Sequence, residues 1–374
     1  MQRYTYIDIF RGIAVVVMIE THVVNAFMLP ELRETWWFSI LNFINGIVAP
    51  AFLFIAGYTF ALNAEKKWND FLAGNSQLLK QVKRIFHIWL VGYALHIPFF
   101  SLQRVLNADA QSWLPFWKVD VLYCIAFSLL LMLFLIVVLR KQQYFYYVLG
   151  ILSIAIIFLA PIIWENKIST FFLIPIGMYF DGIQGSQFPI FPWMGFVLLG
   201  GISQKIISLL LQKYSSKEIF YKSMWWGIGG ISVLCLCMLL PFNIYPQEYF
   251  WRTNPLFFFI RCAIVWILLV GLIYKNFSDN SKNTVSLFGK ESLVGYAGHL
   301  LVIYGLFFND KSISSIIGKT RTVAEVFGMT VALLVVMFVI VYIWHTVKRK
   351  NMKYAYILQY SLLIIVISIF FLKN

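Results

Sequence analysis

The chain has 374 residues, of which 61% are hydrophobic and only 12% are charged, and its formal net charge is +14. A soluble globular domain carries about 25% charged residues, so this composition excludes a soluble protein. The 36 Phe, 20 Tyr and 13 Trp exclude intrinsic disorder. Long unbroken apolar runs also argue against an outer-membrane β-barrel, which needs short alternating segments. The composition predicts an all-α, polytopic transmembrane helix bundle.

Apolar segments long enough to span a membrane follow one another along the whole chain. A spanning helix needs about 20 mostly apolar residues, and the sequence predicts eleven such spans in one membrane-embedded domain, residues 1–374. They lie near 9–29, 38–62, 84–103, 119–139, 144–164, 191–211, 223–243, 254–274, 287–308, 323–346 and 354–372. The apolar piece from Phe171 to Phe180, interrupted by Pro175 and Gly177, is too short to cross.

The positive charges predict the orientation. With the N-terminus in the cytoplasm, the inside segments collect 20 of the 30 Lys and Arg, as the positive-inside rule expects. We therefore expect a cytoplasmic N-terminus, a lipid bilayer as the surrounding partner and no nucleic-acid partner.

The first span carries polar groups that are costly in a membrane and therefore indicate function. Arg11 and His22 are eleven residues apart, so they lie within about 20° of each other around a helix and about 16 Å apart along it. Asp8 and Asn25 fall on the same face, whereas Glu20 points to the opposite side. The shared face favours a functional role for His22 and Arg11.

Histidines at similar depth occur in two other spans. His96 and His299 lie roughly as far from the cytoplasmic starts of spans three and nine as His22 does from the start of span one. This pattern favours a polar chamber near the middle of the membrane. The four cysteines show no metal-ligand spacing, so we expect no metal site.

Five segments resemble the catalytic-domain family of heparan-α-glucosaminide N-acetyltransferase, within the transmembrane acyltransferase superfamily. The segments are YIDIFRGIAVVVMI (Tyr6–Ile19), PAFLFIAG (Pro50–Gly57), VDVLYCI (Val119–Ile125), FPIFPWMG (Phe188–Gly195) and GKESLVGYAGH (Gly289–His299). The superfamily also carries an Arg and a His in its first span, at the spacing of Arg11 and His22.

The resemblance implies an acyltransferase, an enzyme that moves an acyl group from cytoplasmic acyl-CoA to a sugar or glycan on the far side of the membrane. The acyl group is expected to be acetyl, and it is expected to be attached to an oxygen or a nitrogen of the sugar. In this interpretation His22 is the general base or a transient acyl carrier, and Arg11 helps to hold the donor. We therefore expect His22, Arg11 and Asp8 to be the catalytic residues. Acyl-CoA is then a cosubstrate, and no cofactor is bound permanently.

The sequence departs from the family in its first outer loop. The heparan enzyme is associated with a catalytic His in that loop, whereas the segment from Pro30 to Trp37 contains none. The family often has an acidic residue four positions before the proline of span two. This chain has Gly46 there, beside Asn45.

The remaining candidate residues are assigned by chemistry and by predicted side. Basic side chains at cytoplasmic span ends suit the CoA phosphates, and these are Arg11, Lys83, Arg84 and Lys290. Charge reversal at Lys205 or Lys213 is expected to leave the binding of a CoA donor unchanged. Carboxylate, amide, indole and imidazole groups suit a sugar acceptor, and these are Asn25, Asp120, Trp193 and His299.

Two further questions stay open at this point. A transporter or flippase of a small polar or glycan substrate is the alternative function, although no pair of Gly/Pro-broken repeats supports it. A homo-oligomer is an open alternative to a monomer. We expect the protein in the inner (plasma) membrane of a bacterium.

Overall fold

The structure, a computed structural model, describes residues 4–238, 249–275, 284–306 and 311–373. Its helices are α1 (Thr5–Phe27), α2 (Trp36–Asn45), α3 (Val48–Lys66), α4 (Trp68–Leu72), α5 (Ser76–Leu95), α6 (Leu102–Leu106), α7 (Leu114–Trp117), α8 (Val121–Leu139), α9 (Gln142–Glu165), α10 (Ile174–Gly177), α11 (Ile190–Lys213), α12 (Ser216–Met238), α13 (Phe250–Thr253), α14 (Pro255–Lys275), α15 (Thr284–Lys290), α16 (Ser292–Tyr304), α17 (Ile313–Ile317), α18 (Val323–Lys350) and α19 (Met352–Leu372). Within these ranges there is no β-strand, which confirms the all-α prediction.

Within the described residues, eight helical segments are long and apolar enough to cross a membrane, so the chain is an integral multi-pass membrane protein. They are Trp36–Lys66, Leu114–Leu139, Gln142–Glu165, Ile190–Lys213, Ser216–Met238, Pro255–Lys275, Val323–Lys350 and Met352–Leu372. Each coincides with one of the predicted spans. The predicted spans near 9–29, 84–103 and 287–308 correspond to α1, α5 and the broken pair α15–α16, which are richer in polar side chains or shorter.

Local sequence signals set several helix ends. Asp120 caps α8 by accepting hydrogen bonds from the amides of Leu122 and Tyr123, at 2.8 and 3.1 Å. Thr322 and Glu325 form a capping box at the start of α18, so the first amides of that helix have partners. The piece from Phe171 to Phe180 contains only short helices, as expected from its proline and glycine.

The chain divides into two compact units. The terminal unit consists of Met1–Val48, Tyr93–Phe116 and Ser278–Asn374, and the central unit consists of Ala49–Gly92 and Trp117–Phe277. In the terminal unit α1 packs against α15, α16 and α18, and in the central unit α11 packs against α8 and α9.

Glycines let two helices of the terminal unit meet backbone to backbone. A Cβ at Gly12 of α1 would overlap the carbonyl oxygen of Val285, and a Cβ at Gly289 of α15 would overlap the carbonyl oxygen of Asp8. Such close approach is typical of membrane helices, where small residues at the interface let the backbones pack tightly. The crossing therefore holds the N-terminal part of α1 against α15.

The central unit contains a crossing of the same kind, between α3 and α11. A Cβ at Gly57 would overlap the carbonyl oxygen of Val197, and one at Gly200 would overlap that of Phe54. Gly57 ends one of the segments that carry the family resemblance, and Gly200 lies five residues after another. Their physical role is to let these two helices touch.

Candidate active site

The terminal unit brings His22 and His299 into contact. Their rings, on α1 and α16, have centroids 5.1 Å apart and planes tilted by 50°. His299 is completely buried, whereas His22 is only half-buried. The third histidine of the expected chamber, His96, lies in the turn that follows α5. The contact between the first two therefore defines the candidate site.

The hydrogen bond of His299 determines which ring nitrogen carries the proton. Its Nδ1 lies 2.8 Å from the carbonyl oxygen of Gly295, one turn earlier in α16. A carbonyl oxygen can only accept, so a neutral ring carries its hydrogen on Nδ1 and a lone pair on Nε2. That Nε2 is buried and has no hydrogen-bond partner among the described residues. The site thus holds a free basic nitrogen next to His22.

Two tyrosines flank the histidines. The ring of Tyr304 stands edge-on to that of His22 at 5.9 Å, and its hydroxyl donates to the carbonyl oxygen of His22 at 3.5 Å. Tyr296 stands edge-on to His299, also at 5.9 Å. The sequence interpretation missed both, although Tyr296 precedes His299 by one helical turn in GYAGH.

Arg33 binds the end of α1, close to the histidines. Its Nη2 donates to the carbonyl oxygens of Val24 and Asn25, at 2.8 and 3.0 Å, and its Nη1 lies 3.5 Å from the Asn25 side chain. A cation is favourable at a helix C-terminus, where the carbonyl groups leave partial negative charge. The segment between α1 and α2 therefore supplies an arginine to this end of α1. The sequence interpretation missed this residue as well.

The opposite face of α1 carries a separate polar contact. The side chain of Asn45, at the end of α2, lies near the carboxyl group of Glu20. The contact joins the polar group that was predicted to point away from Arg11 and His22 to the position beside Gly46. Glu20 therefore faces the end of α2.

A buried carboxylate lies at the break between α15 and α16. The side chain of Glu291 is 6% exposed and accepts hydrogen bonds from Nζ of Lys348, at 2.9 and 3.0 Å. Nδ1 of His345 lies 3.1 Å from the same carboxylate. Both partners come from α18, so this cluster ties the start of α16, and with it His299, to α18.

The predicted donor residues fall in both units. Asp8 is buried and Arg11 is half-buried at the crossing of α1 with α15, where Lys290 ends α15. Lys83 and Arg84 belong to the central unit and are exposed on α5. The structure therefore groups Asp8, Arg11 and Lys290 on two helices that meet.

The predicted acceptor residues are also divided between the units. Asn25 and His299 belong to the terminal unit, and Asp120 and Trp193 belong to the central unit. The carboxylate of Asp120 is buried and caps α8, which gives it a structural role in addition to any contact with a sugar. Trp193 is buried on α11.

Lys205 takes part in a polar network of the central unit, and its expected lack of effect on CoA binding stays a prediction. Nζ of Lys205 lies 2.7 Å from Glu65, in an ion pair whose two side chains are about a third exposed. Gln204 donates to the other carboxylate oxygen at 2.9 Å and accepts from Tyr146 at 3.2 Å. Lys205 therefore belongs to a polar network that joins α3, α9 and α11, whereas Lys213 is exposed.

No metal site was found in the described part of the chain, which contains no group of three or more His, Cys, Asp or Glu suited to hold a metal ion. The polar groups of the candidate site are instead imidazole, phenol and guanidinium groups. Such a set can move protons and stabilise negative charge.

Comparison with known proteins gives one family. The family model described as heparan-alpha-glucosaminide N-acetyltransferase, catalytic, matches residues 3–228, which is more than half of the chain. Four of the five resembling segments lie inside the match, whereas the segment with Glu291 and His299 lies outside it. A comparison with curated proteins finds no match.

Proposed function

The chain belongs to the heparan-α-glucosaminide N-acetyltransferase catalytic family, and from that premise we propose that it transfers an acyl group through the histidine pair. Membership implies a transmembrane enzyme of the acetyltransferase type with acetyl-CoA as cosubstrate. The finer proposal is that acetyl-CoA in the cytoplasm donates its acetyl group to a hydroxyl or amine of a sugar on the far side of the membrane. The contact between His22 and His299 is the observation that carries this proposal.

The reaction needs one proton to move from acceptor to leaving group. An imidazole nitrogen takes the proton of the acceptor hydroxyl or amine while the oxygen or nitrogen attacks the thioester carbonyl. The tetrahedral intermediate then collapses, the carbon–sulfur bond breaks, and the imidazolium returns the proton to the CoA thiolate. The products are the acylated sugar and free CoA, so no other reactant is required.

His22 suits the first base because it remains partly accessible, and His299 suits a second base because its Nε2 keeps a free lone pair beside His22. A histidine side chain can accept and release a proton near neutral pH. Arg33 binds the carbonyl groups of the helix turn that follows His22. In our proposal its positive charge stabilises the oxyanion of the tetrahedral intermediate.

The donor is proposed to enter at the end of α1 that holds Asp8 and Arg11. Arg11 and Lys290 are half-buried basic residues on the crossing helices α1 and α15, and guanidinium and ammonium groups bind phosphate well. Lys83 and Arg84, on α5, stay candidate donor-binding residues. Asp8 keeps its proposed catalytic role as a carboxylate near Arg11.

The acceptor is proposed to bind at the other end of α1. Asn25 is exposed there, three residues beyond His22, and its side-chain amide can both donate to and accept from sugar hydroxyls. His299, Asp120 and Trp193 complete the proposed acceptor residues. In this proposal the protein lies in the inner membrane of a bacterium with its N-terminus in the cytoplasm.

The test measures CoA release from labelled acetyl-CoA by the purified full-length protein, against a panel of amino sugars and neutral glycans. His22→Ala should lower kcat by about 10²–10⁴-fold, the usual contribution of a general base. Binding of acetyl-CoA should stay within about twofold of the original protein, since the proposed donor residues are elsewhere.

His87→Ala is the matched control, because His87 is an exposed histidine of α5 in a predicted span. It should retain full turnover. Normal turnover by a folded His22→Ala variant would contradict the mechanism. Movement of a sugar across proteoliposomes without acyl-CoA, with no acylated product, would favour the transporter instead.

A further inference from the structure

Arg261 is an arginine inside a membrane-spanning helix of the central unit. It lies in the second turn of α14, which is apolar enough to cross a membrane, and it is half-buried. An arginine in such a helix is costly and by default indicates a function. It also lies outside the residues that match the family.

Aromatic rings, rather than a carboxylate, surround this guanidinium. Its Cζ lies 4.0 Å from the ring centroid of Phe257 and 5.9 Å from that of Trp193. None of the ion pairs found in the described ranges includes Arg261. Cation–π contacts offset only part of the cost of removing a guanidinium from water.

Trp193 offers a second unmatched donor at the same place. Its side chain is buried, with 7% of the residue exposed, and its Nε1 has no hydrogen-bond partner within the described residues. An indole N–H and a guanidinium can only donate hydrogen bonds. Two adjacent groups therefore present donors with no acceptor supplied by the described fold.

A neighbouring pair shows how the same residue types look when the fold satisfies them. Arg252 also lies over a tryptophan ring, that of Trp164, at 5.9 Å. Arg252 is exposed to its surroundings, however, and Nε1 of Trp164 donates to the carbonyl oxygen of Phe191 at 2.9 Å. The unmatched donors are thus a property of Arg261 and Trp193, not of arginine–tryptophan stacking in general.

We propose that Arg261 and Trp193 form a binding site for an oxyanion, namely a carboxylate, sulfate or phosphate group. The guanidinium supplies the charge and up to two parallel hydrogen bonds, and the indole supplies a third. The oxyanion belongs either to an acidic sugar or to a lipid headgroup. The acidic-sugar source rests on the proposed acyltransferase function, whereas the anion site itself does not.

The experiment measures binding to the full-length protein in dodecyl maltoside, a detergent without phosphate, and with no acyl-CoA present. Glucuronate and glucose 6-phosphate are compared with uncharged glucose by the shift of the thermal unfolding midpoint. A second arm uses dihexanoyl phosphatidylglycerol as a short-chain lipid. Because turnover is not measured, failure of the proposed acyltransferase chemistry does not affect the result.

Arg261→Gln should weaken binding of the charged ligand about tenfold or more, because a hydrogen bond to an ionised group is lost. Arg252→Gln should leave it unchanged. Trp193→Phe, which keeps the ring but removes the N–H, should weaken it less than Arg261→Gln does. Arg261→Lys, which keeps the charge but loses the planar fork, serves as the second variant if Arg261→Gln does not fold, and it should also weaken binding.

If the acidic sugars shift the unfolding midpoint and Arg261→Gln abolishes the shift, the oxyanion belongs to a sugar. If only the lipid gives this result, the oxyanion belongs to a lipid headgroup. Either supports the oxyanion site. Equal shifts with glucose and with its charged analogues, or equal losses in Arg252→Gln and Arg261→Gln, would overturn it. So would the absence of any anion-dependent shift in the original protein.

Discussion

One polar site in each unit can be compared by how its groups find hydrogen-bond partners. In the terminal unit, His299 has a partner for one ring nitrogen, and Glu291 has partners from α18. In the central unit, Arg261 and Trp193 present hydrogen-bond donors against apolar rings without an acceptor among the described residues. Hydrogen bonds to His299 and Glu291 fix the positions of these side chains, as proton transfer requires. The donors of Arg261 and Trp193 can bind an acceptor from a ligand.

The contrast does not come from how the helices are assembled, since both units contain a crossing in which glycines allow direct backbone contact. The crossing of α1 with α15 belongs to the terminal unit and that of α3 with α11 to the central unit. The difference lies in the polar side chains of each unit and in the hydrogen-bond partners that they find. The variants below test whether the terminal unit needs its crossing and its paired charges to position His299.

The largest effect is expected at the terminal crossing. Gly289→Ala would place a Cβ on the carbonyl oxygen of Asp8 and push α1 away from α15. We expect the free energy of unfolding to fall by about 3 kcal/mol, the upper end of the usual cost of overpacking. Thermal unfolding in detergent and CoA release would both report the loss.

Gly229→Ala is the matched control, because a Cβ at Gly229 on α12 meets nothing within 4 Å. A glycine within a helix costs about 0.5–1 kcal/mol relative to alanine, so this change should raise stability slightly. If Gly289→Ala were as stable as Gly229→Ala, the crossing would have no part in holding the site.

The buried carboxylate at the break between α15 and α16 gives an asymmetric pair of variants. Lys348→Met leaves Glu291 buried without its ammonium partner and should cost about 2–3 kcal/mol, as for a lost hydrogen bond to a charged group. Glu291→Gln should cost less, because Lys348 is 41% exposed and can be solvated. Thermal unfolding at neutral pH measures both, and kcat should fall with Lys348→Met as His299 loses its support. A larger loss for Glu291→Gln would contradict this ranking.

The smallest effect separates capping from ligand binding at Asp120. Asparagine caps a helix about as well as aspartate, so Asp120→Asn should change stability by less than about 0.5 kcal/mol. Asp120→Ala should cost about 1 kcal/mol, the typical value for a lost N-cap. Acceptor affinity, measured by equilibrium binding, should fall in Asp120→Asn if the carboxylate contacts the sugar. If the affinity for the acceptor were unchanged, Asp120 would have only its role as the N-cap of α8.

The length and type of the helices could be predicted because apolar length is a local property of the sequence. The span predicted near 144–164 is α9, Gln142–Glu165, and the span predicted near 191–211 is α11, Ile190–Lys213. The span predicted near 287–308 corresponds to two shorter helices, α15 and α16, because the helix breaks at Glu291. The carboxylate of Glu291 binds Lys348 and His345, more than fifty residues later, and no local pattern shows such partners.

The candidate site was predicted in part for the same reason. His22 and Arg11 stand out because charged and ionisable groups are rare in apolar helices, and their spacing gives a shared face. Arg33 and Tyr304 were missed, as was the pairing of Arg261 with Trp193. An arginine in a loop, a tyrosine and a tryptophan are common in membrane proteins. Their roles here depend on the residues that they contact, and the sequence does not show those contacts.

The sequence by itself determined that this chain is an all-α membrane protein of an acyltransferase family, because composition and local motifs are written along the chain. Only the tertiary structure decided which histidines meet, which nitrogen of His299 stays free, and which arginine in the central unit lacks an anionic partner. Those properties depend on contacts between helices distant in sequence, and the hydrogen bonds available to a buried group are known only when all its neighbours are in place.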